Sequence, residues 1–274
     1  MIEGAQDHIL VVHLGGLGDV CLSESTFLSL GRHFGEKLTA VGNRRFLSLF
    51  PRCFSSIHSV EGREWLYLFA DGISGPLWRR IVLIGKDRSA SFRRRLTRCS
   101  REGVLFVDMY PDAPGGHVEE HQLHQLRTLG VAPTKKPIPP KPGGTIVLYP
   151  EKGYAKGKWP YEKFLEVYDR LRSQGVSVSL LEPFDTEAPH PGSFRFDDLS
   201  DVVSFLNRFD LFVSNDCGMA HLAASRGLST ITLFHEADHT IWHPLGNNRS
   251  LRCIPSPPAP EDLLEAIKTV SGPG

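Results

Sequence analysis

The feature that most constrains the fold is a regular alternation of short apolar runs with amphipathic runs, on both sides of a proline-rich segment. Residues 8–14 (HILVVHL) and 229–234 (STITLF) are continuous β-type runs, whereas 161–175 carries its apolar side chains on one helical face. Continuous apolar strands that alternate with helices are typical of parallel sheets covered on both faces. The sequence therefore predicts α/β architecture with Rossmann-like, doubly wound domains.

The proline-rich segment 131–144 (VAPTKKPIPPKPGG) divides the chain into halves of nearly equal length. Proline fixes φ and lacks an amide donor, so such a stretch is extended and stiff and continues neither a helix nor a central strand. We predict an N-terminal domain over 1–132, a linker over 133–144 and a C-terminal domain over 145–274. A cleft between the domains is expected at the carboxyl ends of the strands, where open α/β sheets bind ligands.

Composition excludes several classes of protein. Of the 274 residues, 41% are apolar and 23% charged, and 31 basic residues balance 31 acidic ones, which argues against a nucleic-acid partner. The five cysteines form no CxxC pair, and an odd number disfavours a disulfide framework. No apolar run reaches the length of a membrane span, and the N-terminus lacks a secretory pattern, so a cytoplasmic location is expected.

A glycine-rich turn follows the first predicted strand, in the segment 13–20 (HLGGLGDV), and a helix is predicted over 19–34. Glycine lets the backbone turn tightly and approach a ligand. Asp19 comes at the start of the predicted helix, where it suits either helix capping or a functional role. The glycines of the turn are Gly15, Gly16 and Gly18.

The same turn partly resembles a dinucleotide-binding fingerprint. That pattern requires glycine or alanine where Cys21 stands, and the second strand ends without the acid that would bind a ribose. Asn43 and Arg44 would instead suit a 2′-phosphate. An NADP-linked oxidoreductase therefore stays as an alternative.

A second site is predicted at 215–221 (NDCGMAH), where a strand runs directly into a helix. The free N–H groups and partial positive charge of a helix N-terminus favour phosphate, and Gly218 allows an oxygen to come close to the backbone. His221 lies one turn further along, beside the same position. Cys217 as a nucleophile and simple helix capping are the alternatives.

Lysines are concentrated between the next apolar strand, 145–150, and the helix 161–175. Lys152, Lys156 and Lys158 either neutralise a diphosphate or form an ordinary solvated loop. Residues 235–239 (HEADH) match a zinc-peptidase pattern that requires a helix, but they directly follow a β-branched run. We therefore predict a loop there and no metal site.

These motifs together resemble glycosyltransferase family 9, the heptosyltransferases that transfer heptose from ADP-heptose during lipopolysaccharide core assembly. The resemblance is carried, in matching order, by residues 15–30, 117–131, 149–181 and 211–246, the last of which (LFVSNDCGMAHLAASRG and the following strand and loop) is the strongest. It implies a GT-B fold of two Rossmann-like domains and a cytoplasmic enzyme, at the inner face of the membrane if the acceptor is lipid-linked. A non-catalytic nucleotide-sugar-binding protein is a further alternative.

The resemblance also implies roles for individual residues. Asp19 would be the general base that deprotonates the acceptor hydroxyl in an inverting transfer. The ADP diphosphate would be held by Asp216, Gly218, His221 and the backbone at Cys217, with charge offset by Lys156 or Lys158. The expected partners are an ADP-sugar donor and a glycan or glycolipid acceptor. No cofactor beyond the donor is expected.

Overall fold

The computed structural model describes residues 7–35, 38–111, 116–139, 141, 144–151 and 158–271. The chain divides into two compact units, Met1–Lys136 (unit 1) and Pro137–Gly274 (unit 2). The division falls inside the proline-rich segment. In its first part, two backbone amides donate to serine side chains of unit 1: the Thr134 amide to Ser29 Oγ (2.8 Å) and the Lys136 amide to Ser25 Oγ (3.0 Å).

Unit 1 is built on one parallel sheet. Its strands are β1 (Ile9–His13), β2 (Leu38–Gly42), β3 (Ser56–Ser59), β4 (Arg80–Gly85) and β5 (Val104–Asp108). Its helices are α1 (Leu17–Leu22), α2 (Glu24–Phe34), α3 (Arg44–Leu47), α4 (Ser91–Thr97) and α5 (Val118–Thr128), with 3₁₀ turns at Pro51–Cys53 and Arg63–Leu68. The strand order is β3-β2-β1-β4-β5.

Unit 2 repeats this plan. Its strands are β6 (Ile146–Tyr149), β7 (Val178–Leu181), β8 (Ser193–Phe194), β9 (Leu211–Asn215), β10 (Ser229–Phe234) and β11 (Asn248–Arg252). Its helices are α6 (Tyr161–Ser173), α7 (Leu199–Leu206), α8 (Gly218–Ser225), α9 (His239–Trp242) and α10 (Pro260–Ser271). The order β11-β10-β9-β6-β7-β8 is again parallel throughout, which confirms the predicted α/β class.

Burial explains why the apolar runs form central strands. Every residue of β1, β9 and β10 is buried, because helices cover both faces of a parallel sheet. In unit 2 the ring of Trp159 packs edge-on against Phe164, with centroids 4.7 Å apart, and its Nε1 donates to the Pro258 carbonyl (2.8 Å). No helix within the described ranges is both long and apolar enough to cross a membrane.

The helix predicted over 19–34 differs from the observed structure in two ways. It begins two residues earlier, at Leu17, and it divides at Ser23 into α1 and α2. The Ser23 hydroxyl donates to the Asp19 carbonyl (2.9 Å). A side chain therefore competes for a backbone carbonyl at the point where the helix divides. Gly18 therefore lies inside α1 rather than in the turn.

Candidate active site

The glycine turn of unit 1 positions Asp19 at the carboxyl edge of the sheet. Gly15 and Gly16 connect β1 to α1, and Asp19 is the third residue of that helix. Asp19 Oδ2 accepts a hydrogen bond from the Gly16 amide (2.9 Å), so the carboxylate closes the turn and begins the helix. The Asp19 side chain is partly exposed, which leaves it accessible to a ligand.

A buried histidine at the end of β1 hydrogen-bonds to the same turn. His13, the last residue of β1, is fully buried, and its Nδ1 accepts from the Gly15 amide (3.2 Å). The proton therefore lies on Nε2, which donates to Ser23 Oγ (3.1 Å), and the Ser23 hydroxyl donates to the Asp19 carbonyl. Because burial removes the ring from water, the pKa of His13 falls to about 4.

This low pKa predicts a pH-dependent stability. An unfolded chain binds a proton at His13 below about pH 6.5, whereas the folded chain does not until about pH 4, so the free energy of unfolding falls as the pH drops through that window. The contribution is at most about 3 kcal/mol. Denaturant unfolding at pH 7 and pH 5 should show a smaller loss in His13→Gln than in the wild type. The exposed His33→Gln is the control, and equal losses in all three proteins would contradict the prediction.

Sequence reasoning missed one contact to Asp19. The Tyr110 hydroxyl donates to Asp19 Oδ2 (3.3 Å), although the two residues are 91 positions apart in the chain. Tyr110 comes two residues after β5, and Asp19 follows β1 at the same edge of the sheet. The position of Tyr110 after a parallel strand is the signal that could have identified it.

The Asn43 and Arg44 interpretation gains no support from the structure. Asn43 caps α3, and its Oδ1 accepts from the amides of Arg45 (3.1 Å) and Phe46 (3.4 Å). This oxygen is therefore engaged in helix capping, where asparagine is a favoured residue.

In unit 2 the strand-to-helix segment has the predicted form. Cys217 is the N-cap residue of α8, and Gly218 is its first residue. The Cys217 side chain makes no capping hydrogen bond, although its thiol faces the amides of Met219 and Ala220. The partial positive charge of this helix N-terminus favours an anion. His221 lies one turn further along and is buried, with 7% of its surface exposed.

Burial changes the chemistry of Asp216 and Cys217. It raises the pKa of Asp216 to about 6, with Lys158 opposing and Glu151 adding to the shift. It likewise raises the pKa of the Cys217 thiol to about 11, so the thiol stays protonated at neutral pH. A neutral buried thiol does not suit a nucleophile, and only the Cys217 backbone remains suited to anion binding.

Lys158 lies beside this segment. Its Nζ pairs with Glu151 (2.7 Å), and its charge acts on both Asp216 and His235. Lys152 and Lys156, predicted in the same loop, lie outside the described residues.

The HEADH motif is not one helix. His235 lies in a bend directly after β10, whereas His239 begins α9, so the predicted post-strand loop is confirmed. The Trp159 amide donates to His235 Nε2 (3.0 Å) and to Asn215 Oδ1 (2.9 Å). Within the described ranges, no group of three potential metal-binding side chains is found.

The chain consists of two parallel α/β units, and the candidate residues of each unit follow its strands. This architecture is similar to that of GT-B glycosyltransferases, as the resemblance implied. Residues 197–263 match the model of glycosyltransferase family 9 (heptosyltransferase) and include β9, Asp216 and α8. The match confirms the resemblance over this segment and supports a glycosyltransferase. No curated protein sequence matches the chain.

Solved structures of that family share the fold. E. coli heptosyltransferase WaaC with ADP has a TM-score of 0.69 at 16% identity, covering 96% of this chain and 99% of its own. E. coli ADP-heptose lps heptosyltransferase II has a TM-score of 0.69 at 13% identity, covering 96% and 98%. The glycosyl transferase family 9 protein of Veillonella parvula DSM 2008 has a TM-score of 0.67 at 15% identity, covering 96% and 92%.

Proposed function

We propose that the protein transfers a heptose from ADP-heptose to a hydroxyl of a glycan or lipopolysaccharide-core acceptor, with inversion at the anomeric carbon. One observation carries the proposal. The N-terminus of α8, with no capping side chain from Cys217, lies inside the segment that matches glycosyltransferase family 9. The structures of E. coli heptosyltransferase WaaC with ADP and with ADP-2-deoxy-2-fluoro heptose support the choice of donor.

In this proposal unit 2 holds the donor diphosphate. The amides in the first turn of α8, at Gly218 and next to Cys217, donate to phosphate oxygens. His221, one turn further along, helps to hold the same diphosphate. Burial raises the pKa of Asp216 to about 6, and the negative charge of a bound diphosphate raises it further, so Asp216 meets phosphate as a protonated donor. Lys158 exchanges its ion pair with Glu151 for the diphosphate, and Lys156 is the alternative cation.

Unit 1 supplies the base. Asp19 takes the proton of the acceptor hydroxyl as the oxygen forms its bond to the anomeric carbon of the sugar. The bond between that carbon and the diphosphate oxygen breaks, and ADP leaves with the electron pair. The helix N-terminus and the lysine offset the charge that develops on the leaving group. The donor is a substrate, and the proposal includes no metal and no further cofactor.

The acceptor class decides where the reaction takes place. A lipid-linked acceptor would bring this protein to the cytoplasmic face of the inner membrane, where a nucleotide-sugar donor is also available. That location belongs to the proposal together with the acceptor.

Calorimetric titration with ADP, UDP and NADPH tests the donor. We expect saturable binding of ADP and much weaker binding of the other two, followed by turnover of ADP-heptose with heptose-deficient lipopolysaccharide as acceptor. Binding of NADPH alone would instead favour the oxidoreductase. Binding of ADP-heptose without turnover of any acceptor would favour a non-catalytic binding protein.

Gly218→Val tests the diphosphate site itself. A branched side chain at the first residue of α8 should block the approach of phosphate oxygens and weaken ADP binding by about 10-fold or more. Gly144→Val is the matched control, because a side chain there meets open space in the same unit. Calorimetry on both folded variants is the measurement, and unchanged ADP affinity in Gly218→Val would reject the site.

A further inference from the structure

Tyr110 and Asp19 meet at the carboxyl edge of the unit 1 sheet. In the order β3-β2-β1-β4-β5, the strands that precede the two residues are separated by β4 alone. The Tyr110 hydroxyl reaches past the end of β4 and donates to Asp19 Oδ2 at 3.3 Å. Hydrogen bonds of this length in a free enzyme can shorten when a substrate orders the site.

The contact falls on one oxygen of the carboxylate. Oδ2 accepts from both the Gly16 amide (2.9 Å) and the Tyr110 hydroxyl. Two donors on the same oxygen fix the rotation of the carboxylate, and they leave Oδ1 as the oxygen that can take a proton.

Tyr110 is itself held firmly. Its amide donates to Asp108 Oδ1 (2.9 Å), and Arg88 donates to both Asp108 Oδ2 and the Tyr110 carbonyl. The Asp108 backbone is in turn locked to Gln125 by two bonds of 2.8 Å. The ring also lies 5.7 Å from Lys86 Nζ, so both the backbone and the side chain of Tyr110 have defined partners.

The tyrosine is a donor at neutral pH. Burial, reinforced by the negative charge of Asp19, raises the pKa of Tyr110 above its ordinary value. A protonated hydroxyl stabilises the ionised form of the carboxylate that it contacts.

We propose that Tyr110 is a positioning residue for Asp19, holding Oδ2 through its hydroxyl so that Oδ1 accepts the proton of the acceptor. This inference rests on the proposed role of Asp19 as the base. Tyr110 touches neither the transferred sugar nor the diphosphate in this scheme. It acts through Asp19 alone.

Tyr110→Phe removes the hydroxyl and keeps the ring. The Asp19 carboxylate then keeps only one of the two donors that hold Oδ2. With ADP-heptose and heptose-deficient lipopolysaccharide, kcat should fall about 10-fold while KM for the donor changes little. The charged groups around Tyr110, namely Lys86, Arg88, Asp108 and Asp19, are unchanged in this variant.

Tyr67→Phe is the control for a merely structural effect. The Tyr67 hydroxyl accepts from Trp78 Nε1 (2.8 Å) in the core of the same unit, so this variant should lose stability without a comparable fall in kcat. A kcat that is unchanged in Tyr110→Phe, or that falls equally in Tyr67→Phe, would overturn the inference. Asp19→Asn decides the proposed role of Asp19 separately, because full turnover in that variant rejects the base whatever Tyr110 does, whereas the absence of turnover in the wild type would reject the proposed function.

Discussion

Replacing Asp19 with asparagine should lower the rate of sugar transfer by about 10²–10⁴-fold, while donor affinity stays nearly unchanged. Asparagine keeps the size of the side chain and an oxygen that can accept from the Gly16 amide, so the turn and α1 should still form. It cannot take a proton at neutral pH. The proposed diphosphate site lies in unit 2, so ADP should bind as before.

Two measurements on the same protein decide between catalysis and capping. Turnover of ADP-heptose with heptose-deficient lipopolysaccharide reports on the base, and calorimetric ADP affinity reports on unit 2. Glu61→Gln, which neutralises an exposed carboxylate of the same unit, should match the wild type in both. Normal turnover of Asp19→Asn would mean that Asp19 acts only as a helix cap.

Adding a single methyl group at Gly15 should be almost as damaging. A Cβ at Gly15 would lie 2.6 Å from Asp19 Cβ, 2.7 Å from Asp19 Oδ2 and 2.9 Å from His13 Cε1, so Asp19 must shift. Displacement of a catalytic group by about 1 Å costs about 100-fold in rate, which is the loss expected for Gly15→Ala.

The neighbouring glycine provides the matched control. A Cβ at Gly16 would come no closer than 3.9 Å to Asp19 Oδ2, and the extended backbone at Gly16 accepts alanine. Turnover of Gly16→Ala should therefore remain within about 3-fold of the wild type. Equal activity of the two variants would mean that the position of Asp19 does not limit the rate.

The central strands could be predicted from the sequence because burial on both faces requires uninterrupted apolar residues. β1 and β10 illustrate this, and their predicted bounds agree with the structure to within a residue. The edge strands β3 (SIHS) and β11 (NRSLR) were not predicted from the sequence. Most of their residues are only partly buried, so their sequences carry polar residues and no apolar run.

The features of the candidate site likewise divide into those that local sequence predicts and those that depend on tertiary contacts. The positions of Asp19 and Gly218 between a strand and a helix could be predicted because each strand-to-helix connection is contiguous in sequence. The Tyr110 contact and the unequal crowding at Gly15 and Gly16 depend on side chains brought together by the sheet, and no local pattern encodes them. The high pKa of the Cys217 thiol also follows only from burial, since a helix N-terminus alone suggests the opposite.

The strand orders have one more consequence. In unit 1 the chain builds outward from β1 through β2 to β3 on one side, and through β4 to β5 on the other. In unit 2 it builds from β6 through β7 to β8, and then returns to add β9, β10 and β11 on the opposite side. Each sheet thus has one topological switch point, between β1 and β4 or between β6 and β9, where connections leave toward opposite faces and open a crevice. Asp19 follows β1, Lys158 follows β6 and Gly218 follows β9, so the order of the strands already places these candidate residues beside the two switch points.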